Sequence, residues 1–216
     1  VYRYDTEWKK MIPRIGRWVD MENSYSTMDA NYTESVWWAF KTLYEKGLVY
    51  QGFKAMHICP RCETTLSNNE VTSNYKDVTD ISVTVKFELV DEPDTFILAW
   101  TTTPWTLPGN VALAVKTEVE YSKISIGEEK FILATERIEK ALVGKEYTII
   151  SQMKGADLVG VSYKPVFDYY ARDKTLENHN NGWKVYRADF VTMESGTGVV
   201  HIAPAFGEDD MALGVK

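Results

Sequence analysis

Three consecutive threonines are the first place where this chain could do chemistry. Thr101, Thr102 and Thr103 follow an apolar run at 96–100 and precede Pro104-Trp105-Thr106-Leu107-Pro108-Gly109-Asn110. A hydroxyl both donates and accepts, so a cluster of them suits a polar ligand or a held water. Pro104 and Pro108 fix φ and remove donors, and the segment is expected to leave a strand as a stiff loop. Threonine is also an ordinary residue at strand ends, and on local grounds alone that is the better reading.

A second stretch runs Gly196-Thr197-Gly198-Val199-Val200-His201-Ile202-Ala203-Pro204-Ala205-Phe206-Gly207-Glu208-Asp209-Asp210. Gly196 and Gly198 permit close backbone approach. His201 lies on a short strand, and three acids follow before Met211. Acids there serve as helix caps and dipole partners, and a strand histidine is usually structural. Together they also supply what a ligand ammonium and a positioned water need: a carboxylate and an imidazole. A third feature is Cys59-Pro60-Arg61-Cys62, the two-residue spacing of half a structural zinc site. A second such pair is absent from the 216 residues, and His57 is poorly spaced as a further ligand. A redox pair is the rival reading, but no βαβ pattern surrounds it.

The elements that must hold these residues follow from periodicity. Residues 5–19 have helical spacing, with Pro13 expected to kink or break the helix. Residues 31–46 form a stronger helix with Val36, Phe40, Leu43 and Tyr44 on one stripe, widened by Trp37 and expected to pack in a core. Gly47 is placed to end it. Residues 48–58 read as a strand running into Cys59, and 64–80 is a polar stretch with little periodicity. From Ile81 the chain alternates apolar and polar through Glu88. Further strands are expected at 95–101, 110–115, 120–126, 130–134, 146–150, 183–187 and 198–202. Short helices are expected at 135–143 and from 207 onward, and 174–182 is a polar loop containing His179. Many short strands with few helices imply an α+β chain with a barrel-like β domain.

Composition narrows the function classes. Hydrophobic residues make up 44% of the chain, enough for a packed core. The formal net charge of -7 argues against gripping long nucleic acid by phosphate neutralisation, though not against taking in one end of it. No run approaches the roughly 20 apolar residues needed to cross a bilayer, so no membrane partner is expected. The two cysteines do not resemble a secreted disulfide framework, which favours a cytoplasmic setting. The opening Val1-Tyr2-Arg3-Tyr4-Asp5 has neither a starting Met nor a signal-peptide pattern, and the chain is expected to be a piece of something longer.

With the motifs in order, a resemblance emerges. The segment from Trp100 to Asn110 resembles the threonine-rich motif of isoleucyl-tRNA synthetase editing domains. Gly196-Thr197-Gly198 through His201, Ala203-Pro204, Gly207 and Asp210 resembles their second motif. Gly16-Arg17-Trp18-Val19-Asp20, Thr27-Met28-Asp29, Glu34-Ser35-Val36-Trp37-Trp38 and Lys46-Gly47-Leu48-Val49-Tyr50 are similar to the synthetic-domain segment leading into the editing insertion. Cys59-Pro60-Arg61-Cys62 is similar to the first zinc knuckle. Valyl and leucyl relatives carry a charged Arg-Pro-acid sequence after two threonines, whereas Thr103-Pro104-Trp105 resembles the isoleucyl form.

The resemblance implies three parts: a helical remnant of the synthetic domain at 1–50, a stem with the cysteine knuckle at 51–79, and a β-rich editing domain at 80–216. It implies hydrolysis of valine misattached to isoleucine tRNA, and of valyl-adenylate as a second substrate. Asp210 would bind the substrate ammonium. Thr102 and Thr103 would line the pocket and orient water, while Trp105 and His201 would narrow it. His201 stays open between general base and size gate. Thr101, Thr106 and Asn110 would hold the terminal adenosine or support the loop, with Gly198 beside the substrate. Cys59 and Cys62 would be half of a structural zinc site, and the editing chemistry itself would need no cofactor. The implied partners are the 3′ end of the aminoacylated tRNA and the rest of a longer synthetase. His-x-Gly-His and Lys-Met-Ser-Lys-Ser are absent, so ATP use and ligation of isoleucine would belong to that longer protein. A binding-only module for the tRNA end, or a stand-alone deacylase, are the other readings.

Overall fold

Helical spacing at the start of the chain yields two helices in the computed structural model, which describes residues 2–216. The chain divides into two units, Val1–Phe53 and Lys54–Lys216. In the first, α1 (Tyr2–Arg14) carries Pro13 in its last turn, and Gly16, at φ +84°, follows. The proline therefore closes the helix instead of kinking a longer one. The second helix, α2 (Ala30–Glu45), ends at Gly47, whose φ is +70°. The Leu48 amide donates to the Leu43 carbonyl (3.1 Å) and the Gly47 amide to Tyr44 (2.9 Å), a left-handed glycine cap. The expected core packing of the α2 aromatics does not occur. No residue of α2 is buried, and Trp37 is 74% exposed. A unit of two helices is too small to enclose them.

The strand expected at 48–58 is also absent. Its only pairing is an isolated bridge between Ile58 and Thr65, and a strand without a partner edge leaves its amides unpaired. The polar stretch after the cysteines contains a helix the periodicity did not show, α3 (Asn68–Val71). It is nucleated by a capping box: the Ser67 amide donates to Glu70, and the Glu70 amide to the Ser67 hydroxyl.

Eight strands build the second unit: β1 (Val83–Glu88), β2 (Thr95–Thr101), β3 (Ala112–Val115), β4 (Glu120–Ile126), β5 (Glu129–Ala134), β6 (Thr148–Lys154), β7 (Lys184–Arg187) and β8 (Val200–Ile202). They pair as a five-stranded sheet in the order β1-β2-β5-β4-β6 and a three-stranded sheet in the order β7-β3-β8. The barrel-like reading thus takes the form of two sheets around a shared core. Phe87, Ile97, Tyr121 and Ile132 of the first sheet meet Leu113, Val115 and Val185 of the second. The opposite face of the first sheet carries Leu98, Ile124, Phe131 and Leu133, covered by Ile138 and Leu142 of and beside α4 (Ile138–Ala141). Burial on both faces explains the continuous apolar run of β2, which lacks the alternation seen in β1. A short helix α5 (Gly155–Leu158) follows β6, and α6 (Glu208–Val215) follows β8.

Candidate functional site

Both singled-out stretches emerge from neighbouring strand ends and face one pocket of about 330 Å³. β2 delivers Thr101 at its end, and Pro104 then starts a 3-10 turn over Pro104–Gly109. The loop is therefore a tight helical turn, held by its own threonines. The Thr103 amide donates to the Thr101 hydroxyl (3.1 Å), and the Thr106 hydroxyl donates to the Thr103 carbonyl (2.8 Å). Opposite, β8 pairs with β3, with His201 across from Leu113. His201 Nε2 lies 2.9 Å from Thr106 Oγ1, which ties the two motifs together across 95 positions. Burial without a countercharge holds the His201 imidazole below its ordinary range, so the ring is neutral near pH 7.

Asp210 sits in the first turn of α6. Its Oδ2 accepts from the Ala203 amide (2.8 Å), which fixes the carboxylate toward the pocket. Oδ1 has no hydrogen-bond donor among the described residues. Partial burial, reinforced by Asp209, pushes this carboxyl above its usual range, with the Ala203 amide opposing. A half-buried carboxylate with one oxygen held and the other free is suited to a cationic group.

The wall between the strands depends on the close backbone approach expected at Gly196 and Gly198, and on Tyr121 and Arg137, whose roles the sequence did not reveal. Gly196 and Gly198 both have positive φ, +68° and +76°. A β-carbon on Gly196 would meet Trp100 at 3.1 Å, and one on Gly198 would meet Ala134 at 2.4 Å. The Thr197 hydroxyl donates to the Leu98 carbonyl (2.6 Å), and the Tyr121 hydroxyl donates to the Gly198 carbonyl (2.7 Å). Burial pushes the Tyr121 phenol up to about 12, so it remains a donor. Arg137 is buried and donates to the carbonyls of Gly196 (2.9 Å), Met193 (3.2 Å) and Glu194 (3.2 Å). Nothing in the local pattern around Arg137 marks it, because its acceptors lie more than 50 residues away.

The structure brings together Thr101, Thr102, Thr103, Thr106, Gly198, His201 and Asp210 around the pocket. Trp105 does not line it. Its ring is 64% exposed and packs edge-on against Phe206, which does line it. Asn110 is buried away from the pocket, with both ends of its amide used. Its nitrogen donates to the Ala112 carbonyl (2.9 Å), and its oxygen accepts from the Tyr163 hydroxyl (2.7 Å). Replacing Asn110 with Ala should cost about 1–3 kcal/mol by stranding the buried Tyr163 hydroxyl. Urea denaturation checks this, and an unchanged midpoint with weakened ligand binding would instead favour the adenosine-holding role.

A larger cavity of about 580 Å³ lies beside Trp183, Tyr186, Ile202 and Leu213 and shares Phe206 with the first. Its lining is mostly apolar, though it includes Glu177, His179, Tyr170 and Tyr186, and it lacks the threonine cluster of the first pocket. Cys59 is half-buried and Cys62 exposed. Amide hydrogen bonds from Cys62 and Arg61 hold the Cys59 thiol below its usual range. No group of three or more metal-ligating side chains occurs among the described residues. Two sulfurs do not fill a four-ligand zinc site, so these residues alone do not fit the implied metal.

The family model of class I tRNA synthetases (I, L, M and V) matches residues 1–195. The chain belongs to that family. It is 48% identical over 214 residues to the isoleucine–tRNA ligase of Bdellovibrio bacteriovorus and 45% identical over 221 residues to the cytoplasmic isoleucine–tRNA ligase of Saccharomyces cerevisiae. These alignments cover 97% and 100% of this chain but 20% of each relative. The chain thus spans about a fifth of the length of the curated relatives it matches. Among solved structures, it is similar to GlLeuRS-CP1, the CP1 editing domain of a leucyl-tRNA synthetase, with a TM-score of 0.51 and 21% identity. That match covers 62% of this chain and 58% of the other. At this identity the likeness establishes the α+β fold alone. No helix among the described residues is long and apolar enough to cross a membrane.

Proposed function

We propose that this chain carries the editing site of an isoleucyl-tRNA synthetase and hydrolyses valine misattached to the 3′ end of isoleucine tRNA. The observation that carries this reading is Asp210, anchored by the Ala203 amide and facing the threonines across one pocket. A hydrolase for an aminoacyl ester needs an anion for the α-ammonium and hydroxyls to hold water near the ester carbon. No serine or cysteine in a triad is required, since the ester is already activated. Water adds at the ester carbon, the bond to the terminal ribose oxygen breaks, and that oxygen leaves with a proton as valine is released. Asp210 holds the ammonium, and the hydroxyls of Thr102 and Thr103 orient the water.

The need for such a site comes from one methylene. Its absence from a substrate is worth only about 1–3 kcal/mol in an apolar pocket, a range for which isoleucyl enzymes are themselves the standard illustration. A second pocket can hydrolyse what is small enough to enter it. Valyl-adenylate presents the same ammonium and acyl carbon and is proposed as a second substrate. The tRNA end and the remainder of a longer synthetase are the proposed partners, in the cytoplasm, as the Saccharomyces relative's description has it. ATP-driven ligation would belong to that longer protein, and the 1–50, 51–79 and 80–216 division remains part of this proposal.

Deacylation of valine-charged and isoleucine-charged tRNA by this chain tests the reading. Release of valine at well above the spontaneous rate, with isoleucine retained, is the expected result. Equal rates for both esters would refute the specificity, and binding of an adenosine analogue without turnover would favour a binding module.

A further inference from the structure

The hydroxyl of Thr106 has one proton, and the Thr103 carbonyl takes it at 2.8 Å. The same oxygen lies 2.9 Å from His201 Nε2. The Thr103 carbonyl also accepts from the Thr106 amide (3.0 Å). With the hydroxyl proton engaged at that carbonyl, Thr106 accepts from the ring and Nε2 carries the imidazole hydrogen. A separate observation agrees. His201 Nδ1 is buried and has no hydrogen-bond partner among the described residues. A hydrogen on Nδ1 would be a buried orphan donor, which folded proteins rarely tolerate. The ring is also 7% exposed and neutral by burial.

We infer that Thr106 is a positioning residue for His201: it locks the imidazole as the Nε2–H tautomer in one orientation, and thereby sets the shape of the pocket wall. In this arrangement one nitrogen is bonded and the other is enclosed, so neither is free to take a proton from water in the pocket. Thr106 acts through the ring and not on the substrate. The backbone carbonyl of Thr103 completes the lock, because it orients the Thr106 hydroxyl. The consequence for selectivity rests on the editing reading above, whereas the tautomer does not.

Nitrogen-15 spectra of histidine-labelled protein test the lock directly. The chain has three histidines, His57, His179 and His201, and the spectrum of His201→Gln assigns the third. The parent should show His201 as the single neutral Nε2–H tautomer. Thr106→Val, nearly isosteric but without an acceptor, should lose that single-tautomer signature, and Thr106→Ser should restore it. A His201 that is Nδ1–H in the parent, or unchanged in Thr106→Val, overturns the inference. Should the valine variant lose its native spectrum, the parent's tautomer still decides, since the Nδ1–H form is incompatible with the lock. In the deacylation assay, Thr106→Val should cut discrimination between valyl and isoleucyl esters by roughly tenfold, the scale of one methylene contact. Unchanged discrimination would overturn the pocket-wall part. A parent showing the Nε2–H tautomer but hydrolysing neither ester would support the lock and refute the editing reading.

Discussion

Replacing Asp210 with Asn should lower kcat/KM for the valyl ester by about 30- to 5,000-fold, the effect of removing one partner from a partly desolvated charge pair worth about 2–5 kcal/mol. The substitution keeps the shape, and an amide oxygen can still accept from the Ala203 amide, so the start of α6 should remain in place. Stability should respond in the opposite sense. The carboxyl is raised above its ordinary range in the folded chain. The folded state therefore holds this proton more tightly than the unfolded state does. That contribution to stability is complete below the ordinary carboxylate range, near pH 3.9, and is lost as pH rises through the raised folded value. At neutral pH the ionised Asp210 costs stability, and Asp210→Asn should match or exceed the parent in thermal midpoint while losing activity. A variant that loses both together would point to a structural cap instead of an ammonium anchor. In the parent, the acid limb of the kcat/KM profile should lie above the ordinary aspartate value and vanish in the variant. Deacylation rates between pH 4 and 8 and a melting curve at pH 7 provide the check.

Gly198→Ala should be the most destabilising single change at the pocket, by about 2–5 kcal/mol. Two causes add. The left-handed backbone, φ +76°, costs a residue with a β-carbon roughly 1–2 kcal/mol. The added carbon would also stand 2.4 Å from Ala134 Cβ and 3.0 Å from Met193 Sδ, and overpacking of this kind costs about 1–3 kcal/mol. Ala134 belongs to β5 and cannot yield without moving the sheet. Gly127 supplies the control. It has a similar φ of +62°, but a β-carbon there meets nothing within 4 Å, so Gly127→Ala should show the backbone cost of roughly 1–2 kcal/mol alone. Urea midpoints of the two variants separate the contributions. Equal losses would mean that the 193–198 turn has room to shift.

The elements of the second unit were mostly legible because their signals are local. β2 and β4 fall where the apolar runs place them, β1 begins two residues later than its alternation suggests, and β6 begins two residues later and ends four residues later than expected. Gly47 was legible as a helix end because only a residue without a β-carbon enters the left-handed region easily. The failures are equally instructive. Residues 48–58 have strand-like composition, but a strand exists only where another edge accepts its hydrogen bonds. The aromatic face of α2 has the spacing of a core helix, yet this chain buries none of it.

At the site, the kinds of residue and their order along the chain are properties of the sequence alone: a threonine cluster after a buried strand, glycines before a histidine, and acids at a helix start. These carried the family resemblance. The sharing of one pocket by the two motifs was decided only in three dimensions, by the register of β3 against β8 and the turn after β2. Tertiary structure also directed Asn110 to Tyr163, turned Trp105 outward onto Phe206, gave Thr106 to His201 and brought Arg137 to the 193–196 carbonyls. The physical reason is common to all four. A side chain's type fixes how many hydrogen bonds or how much packing it requires, while its partners, 53 to 101 positions away in these cases, are fixed only when the sheets close over their core.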